Sequence, residues 1–278
     1  MDIDKIISIL EKRNTEISSE IFDNLKCLKK QAILDNNEKL ANDIWYYETV
    51  AKIQKNFLIV YSLLKEDVYD KYYDSWCLIE EIEILLGQIR NNYIDRISDF
   101  NLSFIGKIIY NLEKMFPYKF FLSRENIIKS SKCSICDKKT SIRNPCSHQV
   151  GKLYNGEICR EVVTDMKFIG VSLVKDPFDK HCVAFLKGRK YDYSLLKALM
   201  QKWDNPYDEW DLRILKIKKP EYREISRKKI CPCGSGKKYK RCCLNTSKEL
   251  MDHFEILYPN KNFGRTPLKI YNTIVKTD

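Results

Sequence analysis

The stretch that most limits what this chain can become is Cys231-Pro232-Cys233-Gly234-Ser235-Gly236-Lys237-Lys238-Tyr239-Lys240-Arg241-Cys242-Cys243. Four cysteines fall within thirteen residues, as Cys-x-Cys and Cys-Cys with eight residues between the pairs. A structural zinc takes four ligands in a closed tetrahedron and favours thiolates, and two close pairs flanking a short turn supply them without a hydrophobic core. Gly234 and Gly236 let the backbone turn tightly behind the first pair, and Pro232 restricts φ between the first two ligands. The spacing therefore predicts a zinc knuckle with Cys231, Cys233, Cys242 and Cys243 as its ligands.

The same thirteen residues resemble the SEC-C motif, the zinc-binding tail of the bacterial translocation ATPase SecA that is also appended to many unrelated bacterial proteins. The pattern includes Gly-Ser-Gly-Lys-Lys-Tyr at positions 234–239 and departs at the fourth ligand, where the translocase carries His and this chain has Cys243. The resemblance implies zinc on Cys231, Cys233, Cys242 and Cys243, and a contact surface that in SecA serves a chaperone and the ribosome. It does not imply a translocase, because no part of the chain resembles an ATPase. Gly234-Ser235-Gly236-Lys237 is not a phosphate loop, since the full spacing, a preceding strand and a Ser or Thr after the Lys are all missing.

Charge is unevenly spread. Residues 1–130 carry 18 Lys and Arg against 21 Asp and Glu, whereas residues 131–278 carry 31 against 17. Arg213 to Arg241 alone has twelve basic residues against Glu221 and Glu224. Even after the charge of a four-thiolate zinc is taken off, a basic face survives around the knuckle, with Lys237, Lys238, Tyr239, Lys240 and Arg241 as candidate partner-binding residues. Such a face is either a solvated surface or a dock for an anionic partner. Apolar residues at 44% are ample for a core. The start lacks the basic and apolar regions of a signal peptide. The longest mostly apolar run, Phe57 to Leu64, is too short to span a bilayer. Eleven cysteines, most at metal-like spacings, suit a reducing compartment. These features predict a cytoplasmic protein with no membrane partner.

Residues 1 to about 122 read as a helical bundle of four to six antiparallel helices. Val50, Ile53, Phe57, Tyr61 and Leu64 recur at three- and four-residue steps, as do Ile79, Ile82, Leu85 or Leu86, and Ile89, then Ile105, Ile108 or Ile109, Leu112 and Phe116. Asn36-Asn37 and Glu66-Asp67 mark breaks, and Gly and Pro are absent before Gly87. Trp45, Tyr46, Tyr47, Tyr72, Tyr73 and Trp76 read as core and rim, or as a partner face. Cys27 and Cys77 read as small buried hydrophobes.

Residues 123–220 read as a small mixed β domain stapled by zinc, after an aromatic bridge from Phe116 to Phe121 and a short helix from about Ser123. Cys133-x2-Cys136 is half of a zinc ribbon, and Cys146, His148 and Cys159 compete for the two remaining places. Spacing slightly favours His148 with Cys159, and Cys146 is chemically as able. Asn155-Gly156 between Leu153-Tyr154 and Glu157-Ile158 is a strong hairpin signal. Phe168 to Val174 and Val183 to Leu186 read as strands. So small a sheet needs the metal to hold it. This segment, with Cys-x2-Cys, Cys-x-His, the Gly151-x2-Tyr154-x-Gly156-x2-Cys159 run and Val171-Ser172-Leu173-Val174, also resembles a zinc segment in bacteriophage-type proteins, which implies metal but no activity.

Tyr191 to Trp203 reads as a helix and Leu212 to Ile217 as a strand. Residues 221–278 form the basic knuckle and tail. Thr246-Ser247-Lys248-Glu249 is a capping box that predicts a helix to about Leu257, with His253 as a surface residue on it. From Asn260 on, Leu268, Ile270 and Ile274 either fold back or fray. The fold class is α+β.

A catalytic zinc needs an open position and a nearby base. The knuckle closes its own shell and the middle site is overfilled. His148 is followed by Gln149-Val150, not the Glu of a deaminase. A nucleophilic cysteine needs a neighbouring His, and only His181-Cys182 and the His148 region offer one. The expectation is no enzyme, but an interaction or adaptor protein with two structural zinc ions whose basic knuckle docks on a protein or ribosomal partner. The alternative is a nucleic-acid binder with a phage-related or defence role that uses the same basic face.

Overall fold

The computed structural model describes residues 1–13, 16–188, 190–258 and the backbone of 268–271. Its contacts divide the chain into two compact units, Met1–Tyr207 and Asp208–Asp278. Helices with small sheets make it α+β, as the sequence predicts.

Unit one is built on five helices: α1 (Ile3–Leu10), α2 (Ser19–Leu34), α3 (Glu38–Glu66), α4 (Lys71–Asn92) and α5 (Leu102–Met115). α2 ends where Asn36 takes a left-handed backbone, and Asn37 caps α3 by accepting from the Leu40 amide at 3.0 Å. At the far end of α3, Asp67 is again left-handed. The two breaks expected at Asn36-Asn37 and Glu66-Asp67 are these caps. α3 packs against both α2 and α4. Accordingly its buried positions, among them Ile44, Trp45, Tyr46, Ile53, Phe57 and Val60, are not confined to one stripe. Gln54 is also buried there, and donates to the Leu10 and Phe100 carbonyls at 2.8 and 3.1 Å. The carboxamide thereby satisfies two carbonyls that irregular backbone would otherwise strand.

The core continues past α5. Phe116, Tyr118 and Phe121 gather around Trp76 at ring separations of 5.3, 5.1 and 6.1 Å. Trp76 also donates through Nε1 to the Lys180 carbonyl at 2.7 Å. Lys180 Nζ lies 2.5 Å from Glu113, 2.6 Å from Glu83 and 3.6 Å from Glu80. Burial holds the Glu80 carboxyl above the usual carboxylate range. From here the chain runs to α6 (Ser194–Met200), whose Leu195, Leu196, Leu199 and Met200 are buried, and Tyr193 stacks on Tyr72 at 4.0 Å. Trp45, Tyr46, Tyr72 and Trp76 are thus core, with Tyr47 and Tyr73 half-buried. Cys27 is exposed and Cys77 half-buried, which corrects the expectation that both are interior: Cys27 falls off the buried Ile21, Leu25 and Ala32 face of α2, and Cys77 at the margin of the buried face of α4.

Between bridge and return lies the β part. β1 (Phe121–Cys133) and β4 (Glu161–Val174) pair antiparallel, Phe121 with Val174 at one end and Cys133 with Glu161 at the other. The helix expected from Ser123 is therefore absent: Ile127 and Ile128 are satisfied by ladder pairing with Lys167 and Met166. Register shifts after Glu125, Ile128 and Ser130 are bulges that bend the ribbon. Most of it is solvent-facing, including Ile128, Met166, Phe168 and Leu173. Val183 contributes only a single bridge to Phe121, not a strand. Between β1 and β4, β2 (Leu153–Tyr154) and β3 (Glu157–Ile158) form the Asn155-Gly156 hairpin, both turn residues at positive φ.

Unit two holds β5 (Asp211–Lys218), α7 (Pro220–Arg223), the four-cysteine segment, β6 (Leu250–Leu257) and β7 (Leu268–Tyr271), in the sheet order β5-β6-β7. The helix expected after Thr246 is a single 3₁₀ turn, Ser247–Glu249, followed by β6. Two observations explain the correction. Glu249 does not complete a capping box, because its carboxylate accepts from the Tyr239 hydroxyl and the Asn245 amide. The following residues are drawn into full register with β5, Lys218 opposite Leu250 and Asp211 opposite Leu257. His253 accordingly lies buried in β6, 3.9 Å from Glu255, and is not on a surface. Leu268 and Ile270 fall in β7, where the chain does fold back on β6; Ile274 lies outside the described residues.

Among the described glycines, Gly156 in the hairpin turn is the one where a Cβ would come within 3.0 Å of neighbouring atoms. Gly156 donates its amide to Asn42 Oδ1 at 2.7 Å, and a Cβ there would meet the Ala41 carbonyl oxygen at 2.8 Å. Gly151 has the same positive φ but open space. Gly156→Ala is expected to destabilise the protein by about 1–3 kcal/mol, combining strain and clash, and Gly151→Ala by only about 1 kcal/mol of strain. Denaturant titration that shows equal losses would refute the docking geometry.

Candidate metal centres

The knuckle is assembled by its own backbone. The Cys231 amide donates to the Lys237 carbonyl at 2.8 Å and the Gly234 amide to the Cys231 carbonyl at 3.4 Å, while Gly234 and Gly236 sit at φ near +75° and +70°. An isolated bridge between Ile230 and Lys238 closes the loop. The result brings the four sulfurs of Cys231, Cys233, Cys242 and Cys243 within 4.8 Å of one another. Cys233 and Cys242 are 3.4 Å apart, Cys242 and Cys243 3.7 Å. A tetrahedral zinc–thiolate shell with bonds near 2.3 Å has edges of about 3.8 Å, so the cluster is already close to metal-binding dimensions. The Ser235 hydroxyl and amide point at Cys233 and bring its thiol down to about 6, in the direction that favours the thiolate a metal requires.

Behind the sulfurs stands a small core. Tyr222 on α7 and Tyr239 lie 5.7 Å apart, packed with Cys231, Cys243, Ile225 and Leu244. Tyr239 donates to Glu249, and that carboxylate raises the phenol to about 12. Tyr239 is 2% exposed, so its ring is not available to an external partner, contrary to its expected place among the contact residues. Lys237, Lys238, Lys240 and Arg241 are all exposed. Backbone bonds from Tyr239 to Lys229 (2.8 Å) and from Lys240 to Arg227 (3.0 Å) lay this basic run beside a second, Arg227-Lys228-Lys229, also exposed.

The middle centre lies where β1 ends. Cys133, the last residue of β1, and Cys136 lie in a turn closed by the next residue, Asp137, which is left-handed and donates its amide to the Cys133 carbonyl. The amides of Cys136 and Ile135 point at the Cys133 sulfur, the latter at 3.4 Å, and bring its thiol down to about 6. The donor atoms of Cys133, Cys136, Cys146 and His148 all lie within 4.8 Å of one another. His148 Nδ1 is buried without a hydrogen-bond partner, its ring edge-on to Tyr154 at 4.6 Å. A buried lone nitrogen costs stability unless something fills its coordination direction, and a metal does so. Cys159, the fifth candidate, is buried with its sulfur 3.7 Å from that of Cys133, and burial raises its thiol to about 11. A cavity of about 140 Å³ adjoins these groups, lined by Cys133, Cys146, His148, Cys159 and Arg160 among others.

Helix ends position this centre. Asn92, closing α4, donates to the Gly151 carbonyl at 2.9 Å and accepts from the Leu153 amide at 3.2 Å. Sequence reasoning missed Asn92, as it missed Tyr222 and Glu249 at the knuckle, because each acts across a long separation and none belongs to a motif. The other thiol singled out in the sequence, Cys182, does not face His181. Its sulfur donates to Asp179 Oδ2 at 3.3 Å while His181 Nδ1 meets Asp179 Oδ1 at 3.0 Å. That carboxylate raises the Cys182 pKa, which disfavours a nucleophilic thiolate. Among the described residues no helix is long and apolar enough to cross a membrane.

Comparison with known proteins agrees with this geometry. The SEC-C motif family matches residues 227–245, so the chain carries a SEC-C motif and with it a zinc-binding segment. Two curated relatives are both described as protein translocase subunit SecA. The one from Sulfurimonas denitrificans is 24% identical over 69% of this chain and 22% of its own length. The one from Ehrlichia canis is 23% identical over 86% of this chain and 28% of its own length. The chain thus spans about a quarter of the relatives it matches. No solved structure matches.

If both clusters hold metal, protein purified without added metal carries two equivalents per chain. Cys231→Ser with Cys233→Ser and Cys133→Ser with Cys136→Ser each remove one. Elemental analysis that finds either pair without effect would remove that cluster from the assignment.

Proposed function

We propose that the chain is a zinc-dependent adaptor, in which two structural zinc ions hold the interaction surfaces and the basic face of the knuckle docks on an anionic protein or ribosomal partner. The observation that supports this most directly is the pairing of a closed four-cysteine cluster with two adjacent exposed basic runs, Arg227-Lys228-Lys229 and Lys237-Lys238 with Lys240-Arg241. In the middle centre the reading assigns Cys133, Cys136, Cys146 and His148 to the metal and leaves Cys159 outside. Bound zinc would supply a rigid cross-link with no open position, so no chemical step is assigned to either metal. The curated relatives are described as translocase subunits, and the SEC-C motif at residues 227–245 is the part of this chain on which the docking reading rests. Charge complementarity would chiefly set on-rate and partner choice. Because Tyr239 is buried, the knuckle lacks the stacking aromatic that readers of single strands use, which weighs against the nucleic-acid alternative.

Cosedimentation with purified ribosomes at low and moderate salt tests the docking face. Replacing Lys237, Lys238, Lys240 and Arg241 together by Glu is expected to abolish retention while leaving metal content unchanged. Equal retention of the variant refutes the assignment of the face, and comparable binding of naked single-stranded RNA moves the reading to a nucleic-acid binder. Chelation gives a second test. Structural zinc contributes about 10–16 kcal/mol of apparent binding energy in finger peptides, so metal removal is expected to expose the 227–245 segment to protease while helical circular dichroism persists. A uniform collapse, or no change, is incompatible with metal-held surfaces on an independently packed bundle.

A further inference from the structure

The middle centre offers five donors to a metal that takes four, and the position of the fifth is informative. Cys159 is outside the set whose donor atoms are mutually close, yet its sulfur stands 3.7 Å from that of Cys133. A disulfide bond is about 2.05 Å long, so the two sulfurs need to close by less than their present gap. Both backbones are fixed nearby: the Cys133 amide donates to the Lys138 carbonyl at 2.9 Å, the Cys159 amide to the Lys152 carbonyl at 2.8 Å, and the Cys159 carbonyl accepts from Gly151 at 2.8 Å. The knuckle also has sulfurs at comparable separation, but there every sulfur belongs to the four-donor set and no spare thiol adjoins it. A small oxidant has a place to stand, because the cavity of about 140 Å³ is lined by both Cys133 and Cys159. Water occupies about 30 Å³ in the liquid, so a molecule the size of hydrogen peroxide fits.

We propose that Cys133 and Cys159 are a reversible redox modification site, at which a peroxide converts the metal-holding Cys133 and the spare Cys159 into a disulfide and releases the middle zinc. The inference rests on the zinc assignment of the middle centre made above. In the first step the Cys133 sulfur attacks one oxygen of hydrogen peroxide, the O–O bond breaks, and the departing hydroxide takes up a proton to leave as water. Cys133 is then a sulfenic acid. In the second step the Cys159 sulfur attacks the Cys133 sulfur, the S–S bond forms, and the hydroxyl leaves as water with the Cys159 thiol proton. Two thiols are oxidised by two electrons and one peroxide is reduced to two waters. A zinc at this centre would be left with Cys136, Cys146 and His148 alone, one thiolate short of a closed shell. A thiol reductant reverses the change by exchange at the disulfide.

The experiment follows metal release from the full-length, zinc-loaded protein with a chromophoric zinc chelator during hydrogen peroxide treatment, and maps the products by peptide mass spectrometry. The wild type is expected to release one of its two zinc ions, to show a Cys133–Cys159 peptide pair lacking two hydrogens, and to rebind zinc after dithiothreitol. Cys159→Ser is expected to hold both zinc ions before oxidation. Under excess peroxide, with no Cys159 to capture it, its Cys133 sulfenic acid is oxidised on to the sulfinic acid, which dithiothreitol does not reduce, so the middle zinc is not recovered. Cys159→Ala, which keeps the site apolar, is the second variant should the serine disturb folding. Three outcomes overturn the proposal: a Cys159 variant that is folded but lacks the middle zinc from the start, a wild-type disulfide between other cysteines, and full recovery of zinc by the oxidised variants. If the wild type as purified holds no metal at the middle centre, it is the zinc assignment that fails, and the two failures are thereby told apart.

Discussion

Four cysteine sulfurs held within 4.8 Å of one another are a liability without a cation. As thiols they are poor hydrogen-bond partners, and as thiolates they repel. A divalent metal turns that arrangement into a cross-link. The chain gathers four donors in two places, the second with His148 in place of a fourth cysteine, and in both the backbone around the donors is ordered by its own hydrogen bonds. Amide groups point at Cys133 and Cys233, glycines or a left-handed Asp turn the loop, and a buried nitrogen of His148 is left for a ligand to satisfy. Preorganisation of this sort matters because the ordering entropy is then met by local hydrogen bonds instead of by the metal alone.

The two centres are supported in different ways. The middle one has almost no core of its own, since the ribbon leading into it is largely solvent-facing. It is held instead by helix ends: Asn92 at the end of α4, Glu38 and Asn42 at the start of α3, which accept from the Asn155 and Gly156 amides, and the close seat of Gly156 on the Ala41 carbonyl. The return segment is fixed by Trp76 and by Lys180 among Glu80, Glu83 and Glu113, one ammonium facing three carboxylates. The knuckle, by contrast, carries its own backing in Tyr222 and Tyr239 with Glu249, and that backing is fixed because β6 pairs with β5 and holds Glu249, the residue just before β6, at the Tyr239 hydroxyl.

This arrangement explains why the basic face is clean. Tyr239 sits in the middle of Lys237, Lys238, Lys240 and Arg241 in sequence, but its ring turns inward while the cations stay out. Long cationic side chains remain solvated at little cost, whereas a tyrosine gains by burying its ring and giving its hydroxyl to a carboxylate. What the knuckle presents is therefore charge, suited to an anionic surface.

By itself the sequence determined the metal clusters, the helical bundle with its breaks at Asn36-Asn37 and Glu66-Asp67, the Asn155-Gly156 hairpin and the basic character of the knuckle face. Those features rest on short-range physics: ligand spacing, the 3.6-residue period, and turn residues that tolerate positive φ. Tertiary structure alone decided the rest. A capping-box sequence at Thr246 became a strand because pairing with β5 outweighs a local cap and because Glu249 was needed by Tyr239. Ile127 and Ile128 likewise went to a ladder instead of a helix. Which of five donors cluster in the middle centre also depended on where β1, the hairpin and α4 meet, and no spacing rule contains that. Local propensities differ by fractions of a kcal/mol per residue, so a partner strand or a buried carboxylate brought from far along the chain overrides them.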